Sequence, residues 1–199
     1  MKRILLLAAA VVCLNILHAQ QKNSNPFIQQ EYQYRPTSYI GLSTGINNSV
    51  GLIGAQLKFV ISPKAMIDFG AGLGSWGYKL SANVEIMPKG INGIFVKAGY
   101  MHATGLEDIE LEVETSGFRN EYVRFDLEPV GNVFFSVGNA WKLGKKNRFY
   151  IEGGYAIPLV TDDYYEILSG ETLSDDSELL MQMMRPGGLI LALGFDFGI

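Results

Sequence analysis

The chain is short of the residues that cross-link a fold, coordinate metals and carry positive charge. Its one cysteine, Cys13, lies in an apolar run at the start, so the chain behind that run has no disulfide to staple it. Zinc-type Cys/His spacing, a glycine-rich phosphate loop and a serine-hydrolase elbow are all missing. The nearest approach to a nucleotide fingerprint, the glycines Gly70, Gly72 and Gly74, alternates like a strand and leads into no helix. Lysine and arginine number 16 against 20 acidic residues; without Lys2 and Arg3 the basic count falls to 14 and the net charge to near −6. That balance excludes the basic footprint of a nucleic-acid binder. Behind residue 19 no apolar run approaches the roughly 20 residues of a transmembrane helix.

What is present begins with a leader. Lys2 and Arg3 make a short basic start, residues 4–14 are apolar, and the segment closes on Leu17, His18 and Ala19 before Gln20. A basic head, an apolar middle and a small residue at the cut predict a secretory signal peptide over 1–19. Val12 is too bulky to precede a lipidated cysteine, which argues against a lipid anchor at Cys13. Residues 20–36, rich in Gln and Asn, read as a flexible lead-in. The remainder, 37–199, suits one domain, and its glycines and aromatics point to a β protein.

The organising stretch is 76–86. Tyr78, Leu80, Ala82, Val84 and Ile86 fall on one parity, and Lys79, Ser81, Asn83 and Glu85 on the other. Strands send successive side chains to opposite faces, so this is a ribbon with one apolar and one polar face. The pattern recurs over 38–46, 50–61, 65–74, 94–102, 122–141, 149–157 and 189–199, which predicts eight strands in all. Connections alternate too. Those after the second, fourth and sixth strands are short and carry Lys, Pro or Gly, while the long ones, 104–121 and 160–187, fall at the opposite end. An antiparallel up-and-down β-barrel produces that asymmetry.

Two barrels fit. A soluble lipocalin-like barrel puts the apolar face inside, and a membrane barrel turns it toward lipid. The polar parity decides between them. In the third strand it reads Asp68, Gly70, Gly72, Gly74, and in the last Ile190, Ala192, Gly194, Asp196, Gly198. Bare glycines suit a crowded lumen better than a solvated wall, because on a solvated wall they weaken the strand and pack nothing.

On the leader, the eight two-faced strands and the turn/loop asymmetry, residues 38–199 resemble the small eight-stranded outer-membrane β-barrel proteins of Gram-negative bacteria, the OmpA-barrel-like, porin-like superfamily. The resemblance implies an all-β transmembrane barrel in the cell outer membrane, in contact with lipid and lipopolysaccharide and inserted by the barrel-assembly machinery. Members typically end in an aromatic residue. Here Phe195 and Phe197 are followed by Ile199.

Candidate sites follow from register. A three-residue turn at 62–64 sets Lys58 opposite Asp68 in the lumen. Pairing Ile86 with Ile94 sets Lys97 across from Asn83 and diagonal to Glu85. Buried charges must be paired, so a salt-bridge plug is expected, in preference to an ion gate. Trp141 and Phe149 are expected to pair on the lipid face at one rim, with Trp76, Tyr78 and Tyr100 in the girdle at the other. Glu107, Asp108, Glu110, Glu112 and Glu114 read as a solvated strand extension; divalent-cation or lipopolysaccharide bridging is the alternative. Residues 173–185 predict a helix, N-capped by Ser174 and stopped by Pro186, whose stripe Leu179, Leu180, Met183 and Met184 caps the barrel mouth. His102, with Thr104 and Glu107 near it, resembles a degraded lipid A deacylase motif. Threonine in place of serine weighs for an interfacial histidine. No catalytic, cofactor or metal residue is assigned. The expected role is structural or surface-interacting, with loops 104–121 and 160–187 open to a partner.

Overall fold

Period-two alternation becomes a sheet that closes on itself. The computed structural model describes residues 36–115, 120–159, 164–169 and 172–199; the expected signal peptide over 1–19 and the expected lead-in up to residue 35 lie outside them. In chain order the strands are β1 (Ser38–Ile46), β2 (Ile53–Ser62), β3 (Ala65–Gly74), β4 (Gly77–Ile86) and β5 (Gly93–Ala103), followed by β6 (Leu106–Glu114) and β7 (Asn120–Leu127). Then come β8 (Val130–Leu143), β9 (Asn147–Pro158), β10 (Tyr165–Ile167), the helix α1 (Asp175–Met184) and β11 (Gly188–Gly198). Eight of the strands form a closed antiparallel barrel in the order β1-β11-β9-β8-β5-β4-β3-β2, so no sheet edge is left unpaired. The all-β up-and-down expectation holds. The short connections lie at one rim; those carrying β6, β7, β10 and α1 lie at the other.

Three expectations change. Residues 122–141 are not one strand: Glu128 and Pro129 divide them into β7 and β8, because proline cannot donate to a ladder. β7 joins β6 and β10 in a second, three-stranded sheet. Its Val123, Phe125 and Leu127 are buried there, whereas Val133, Phe135 and Val137 of β8 face outward. The acidic segment is indeed a strand, β6, paired to β7.

The second change is at the start of β2. Residues 50–52, expected in the second strand, lie outside it, and with the loop residues before them they fold inward: Asn48, Ser49 and Val50 are all buried. Asn48 donates to Ser43 Oγ at 2.9 Å, and Gln56 donates to Ser43 at 3.2 Å and to Ser49 at 3.4 Å. The bare lumen positions on β2 and β3 make room for this plug. A Cβ at Gly54 would fall 2.6 Å from Val50 Cβ, and one at Gly70 or Gly72 would collide with Val50 as well.

The third concerns Trp76. It is 1 % exposed and belongs to no girdle. Its Nε1 donates to the Glu128 carbonyl at 3.0 Å. Around it Ala103, Val113, Val123, Phe125, Leu127, Val130 and Met181 form an apolar core over the loop-side mouth. Ser174 caps α1 by accepting the Ser177 amide at 3.3 Å, as predicted. Its inward face, however, is Ser177 and Met181; of the predicted stripe Met184 packs against the core, while Leu179 and Leu180 are exposed. Ser177 Oγ ties the helix to β6 by donating to the Glu114 carbonyl at 2.8 Å. Burial between β7 and the helix, with Glu178 and Tyr164 near, pushes the Tyr165 phenol above its ordinary range. No helix among the described residues is long and apolar enough to cross a membrane.

Candidate functional site: the charged lumen

The inner parity of each barrel strand carries what the outer parity lacks. Lys58 on β2, Asp68 on β3, Glu85 on β4, Lys97 on β5, Arg148 on β9 and Asp196 on β11 are all 0 % exposed. They meet in one layer toward the short-turn rim. Arg148 is its centre. Its guanidinium makes a two-pronged contact to Glu85, 2.7 Å to Oε1 and 2.9 Å to Oε2, and its Nε reaches Asp196 Oδ2 at 2.6 Å. Planar fork geometry suits arginine to this bridging role. Lys58 closes the ring, 3.0 Å from Asp196 and 3.7 Å from Glu85. Lys97 pairs with Glu152 at 2.9 Å, and Ser136 donates to the same carboxylate at 3.3 Å.

Tyr150 stands among the cations. Lys58 Nζ lies 4.4 Å, Lys97 Nζ 5.4 Å and the Arg148 guanidinium carbon 5.8 Å from its ring centroid. The ring face supplies negative potential to all three cations. Beneath, Tyr39, Met66, Met87, Ile91 and Phe95 seal the short-turn end with apolar contacts.

The register of Lys58 against Asp68 is as expected, yet the two do not pair. Lys58 reaches past its neighbours to β11 and β4, each two strands away, and Asp68 instead accepts from Asn83 Nδ2. In a barrel this narrow a four-carbon stem reaches the next strand but one as readily as the neighbouring strand. The β4–β5 register also differs by two residues: Ile86 faces Val96, and Lys97 lies directly opposite Glu85. The cause is the connecting loop, where Met87 and Ile91 turn inward and are buried. Arg148 and Tyr150 were not singled out from the sequence, although both share the inner parity of Glu152.

The outer wall is the converse. Leu42, Phe69, Leu80, Phe135, Ile151 and Leu193 are all about half exposed. Trp141 faces Phe149 in register and stacks on it at 5.8 Å between ring centroids, as expected. Tyr78 and Tyr100 are outward near the loop rim. His102 is also outward, with its Nδ1 3.5 Å from the Tyr100 hydroxyl. It is not joined to Thr104, whose hydroxyl donates to the Gly105 carbonyl at 3.2 Å and accepts the Tyr78 amide at 3.1 Å. Among the described residues no group of three or more His, Cys, Asp or Glu is placed to hold a metal. On β6, Asp108 pairs with Arg124 at 2.6 Å.

No family model matches the chain, and no curated protein matches it. Solved structures do resemble it, two of them crystal structures from one organism. One is the crystal structure of Acinetobacter baumannii CarO, with a TM-score of 0.47 and 14 % identity, covering 82 % of this chain and 98 % of that one. The other is that of Acinetobacter baumannii CarO2, with a TM-score of 0.44 and 16 % identity, covering 81 % of this chain and 98 % of that one.

Proposed function

We propose that this chain is an integral barrel protein of the bacterial outer membrane, with its lumen locked by ion pairs and its work done at the loop-side surface. One observation carries the reading, the sidedness of the wall. Large apolar side chains face out all round the barrel while six ionised or ionisable groups of the lumen layer are 0 % exposed. A barrel in water would need the opposite arrangement. In a bilayer the apolar belt is solvated by acyl chains, and closure satisfies every backbone group that lipid cannot.

The lumen is closed from both sides, by the lock and its apolar floor at the short-turn end and by the plug under the apolar core at the other. A wide pore is inconsistent with that filling. The second sheet, α1 and its exposed Leu179 and Leu180 are the parts that stand clear of the belt. They are the surface that lipopolysaccharide or a protein partner would meet, in a structural or contact role without catalysis. The assembly machinery would be needed to insert the barrel, and nucleic acid is no partner.

Fractionation with heat-modifiability tests the reading. The protein is expected to sediment with outer membranes and to migrate differently on gels before and after boiling. In planar bilayers it is expected to give no conductance steps of porin size. Recovery from the soluble periplasm would sink the membrane reading, and large regular conductance steps would sink the locked lumen.

A further inference from the structure

Charge is divided between the two ends of the barrel. Among the described residues every exposed lysine lies at the short-turn rim: Lys64 between β2 and β3, Lys89 between β4 and β5, Lys142 at the end of β8, and Lys145 and Lys146 in the turn to β9. No side-chain carboxylate is exposed there, since Asp68, Glu85, Glu152 and Asp196 all turn into the lumen. At the loop rim the sign reverses. Glu107, Glu110, Glu112, Glu166, Asp175 and Glu178 are exposed, and the exposed Arg124 is already taken by Asp108. None of the five lysines makes an ion pair among the described residues.

Four of the lysines form one group. The Lys142 amide donates to Asn92 Oδ1 at 3.0 Å, which ties the β8–β9 turn to the β4–β5 loop. Lys89 belongs to that loop, and its Cβ lies 3.9 Å from where a Cβ at Gly93 would stand, opposite Ala140 on β8. Gly144, at φ +66°, turns the chain between Lys142 and Lys145 with nothing within 4 Å of its Cβ position, so the turn stands free. Directly below, on the outer wall, Trp141 stacks on Phe149. Like charges gathered without an acid among them repel one another, and a counter-charge from outside the chain relieves that repulsion.

We propose that this lysine group is a docking site for anionic phospholipid, holding the phosphodiesters of the leaflet at the short-turn side while Trp141 and Phe149 lie against the acyl chains. The proposal rests on the membrane reading and adds to it a headgroup class and an end of the barrel. The height fits. Lys142 follows Trp141 directly, so the ammoniums begin one strand step of ~3.4 Å beyond the aromatic girdle, and lysine stems extend to headgroup level from there. The charge fits too, because a polybasic group beside an apolar surface is drawn to anionic lipid. The acidic loop rim repels the same lipid, so the preference belongs to one end. An acidic protein would engage the lysines alone, whereas a lipid also uses the aromatic pair beneath them.

Trp141 is the reporter, because Trp76, the chain's other tryptophan, is buried at the opposite mouth. The refolded full-length barrel is placed in vesicles of equal parts phosphatidylcholine and phosphatidylglycerol, with bromine on the acyl chains of one lipid or of the other. Brominated phosphatidylglycerol is expected to quench the emission more, reporting a local enrichment of roughly fivefold for each lysine engaged. Combining Lys89→Gln, Lys142→Gln, Lys145→Gln and Lys146→Gln is expected to make the two lipids quench alike, in a barrel whose heat-shifted gel band shows it folded. Sodium chloride at ~1 M, which screens charges beyond about 3 Å, is expected to do the same to the unmodified protein. Arg124→Gln, at the other end, is expected to leave the preference unchanged. Equal quenching by both lipids in the unmodified protein overturns the proposal and leaves the membrane reading intact. A preference that survives the four substitutions or the salt, or that Arg124→Gln removes, overturns it equally. Quenching by neither lipid overturns the membrane reading itself, and the proposal with it.

Discussion

Replacing Arg148 by Met should damage the barrel more than any other single change in the lumen. The guanidinium serves Glu85 at 2.7 and 2.9 Å and Asp196 at 2.6 Å. With it gone, two buried carboxylates share one cation, Lys58, at 3.0 Å from Asp196 and 3.7 Å from Glu85. Methionine occupies much of the stem's volume, so the loss is mainly electrostatic and not a cavity effect. Breaking a buried pair by removing one partner costs about 3–5 kcal/mol, which is a large share of a typical folding free energy of roughly 5–15 kcal/mol. Urea unfolding of the refolded barrel in lipid vesicles, followed by gel mobility, reads this directly. Adding Glu85→Gln to Arg148→Met restores one carboxylate to one cation, and should recover a substantial part of the loss. Asp68→Asn is the control. Asp68 touches Asn83 and no cation within ion-pair distance, so the change should cost no more than about 1 kcal/mol, the net worth of one hydrogen bond. If Asp68→Asn costs more than Arg148→Met, the centre of the lock has been misplaced and the reasoning fails.

Leu193→Arg places a charge near the middle of β11 on the outer wall, and should lower stability in vesicles by about 2–4 kcal/mol; tolerance of that change would argue for a water-facing wall. Gly70→Leu fills the space that Val50 occupies. It should expel residues 48–50 from the lumen, seen as faster hydrogen exchange at the Leu52 amide, which now donates to the Leu73 carbonyl at 2.7 Å. Expressing the protein should leave the lipid A acylation pattern unchanged in a mass spectrum, since the Thr104 hydroxyl is engaged with backbone and not with His102. Acyl loss that His102→Ala or Thr104→Ala abolished would replace the scaffold reading with an enzymatic one.

The barrel was legible because its signal is local. Parity needs only the strand it belongs to, so all seven strands read outside 122–141 recur within a few residues of their expected ends. The failure at 122–141 has an equally local cause that was passed over. Apolar residues keep one parity from Val123 to Val137, but Glu128 and Pro129 fall between them, and proline in a central strand argues against continuity. The helix stripe failed only in part, since Met184 packs on the core, and it failed differently. Leu179 and Leu180 are apolar enough to predict burial, yet one short helix over a small sheet buries a single narrow face. The polar Ser177 took that face because its hydroxyl satisfies Glu114 on both the amide, at 3.0 Å, and the carbonyl, at 2.8 Å.

The lock was harder to read, because its partners are set by closure and not by adjacency. Lys58 and Asp196 lie 138 positions apart and meet only when β1 joins β11. Arg148 follows Lys145 and Lys146 after a glycine, the composition of a solvated turn, and nothing local separates it from them. A usable signal did exist in the glycines. Across the barrel, bulky inner residues face glycine directly in register: Tyr150 faces Gly194, Phe95 faces Gly138, Asp196 faces Gly41 and Gln56 faces Gly70. Glycine relieves crowding at those levels, though large inner residues also face each other, as Lys58 faces Asp68 and Arg148 faces Asp196. Turn length alone set the β4–β5 register wrongly. Pairing Ile86 with Ile94 puts Lys97 against Asn83. Pairing Ile86 with Val96 puts Gly99 against Asn83, and this is the pairing the structure adopts. It also sets Lys97 opposite Glu85, where its ammonium can turn across the lumen to Glu152 and leave Glu85 to the fork of Arg148.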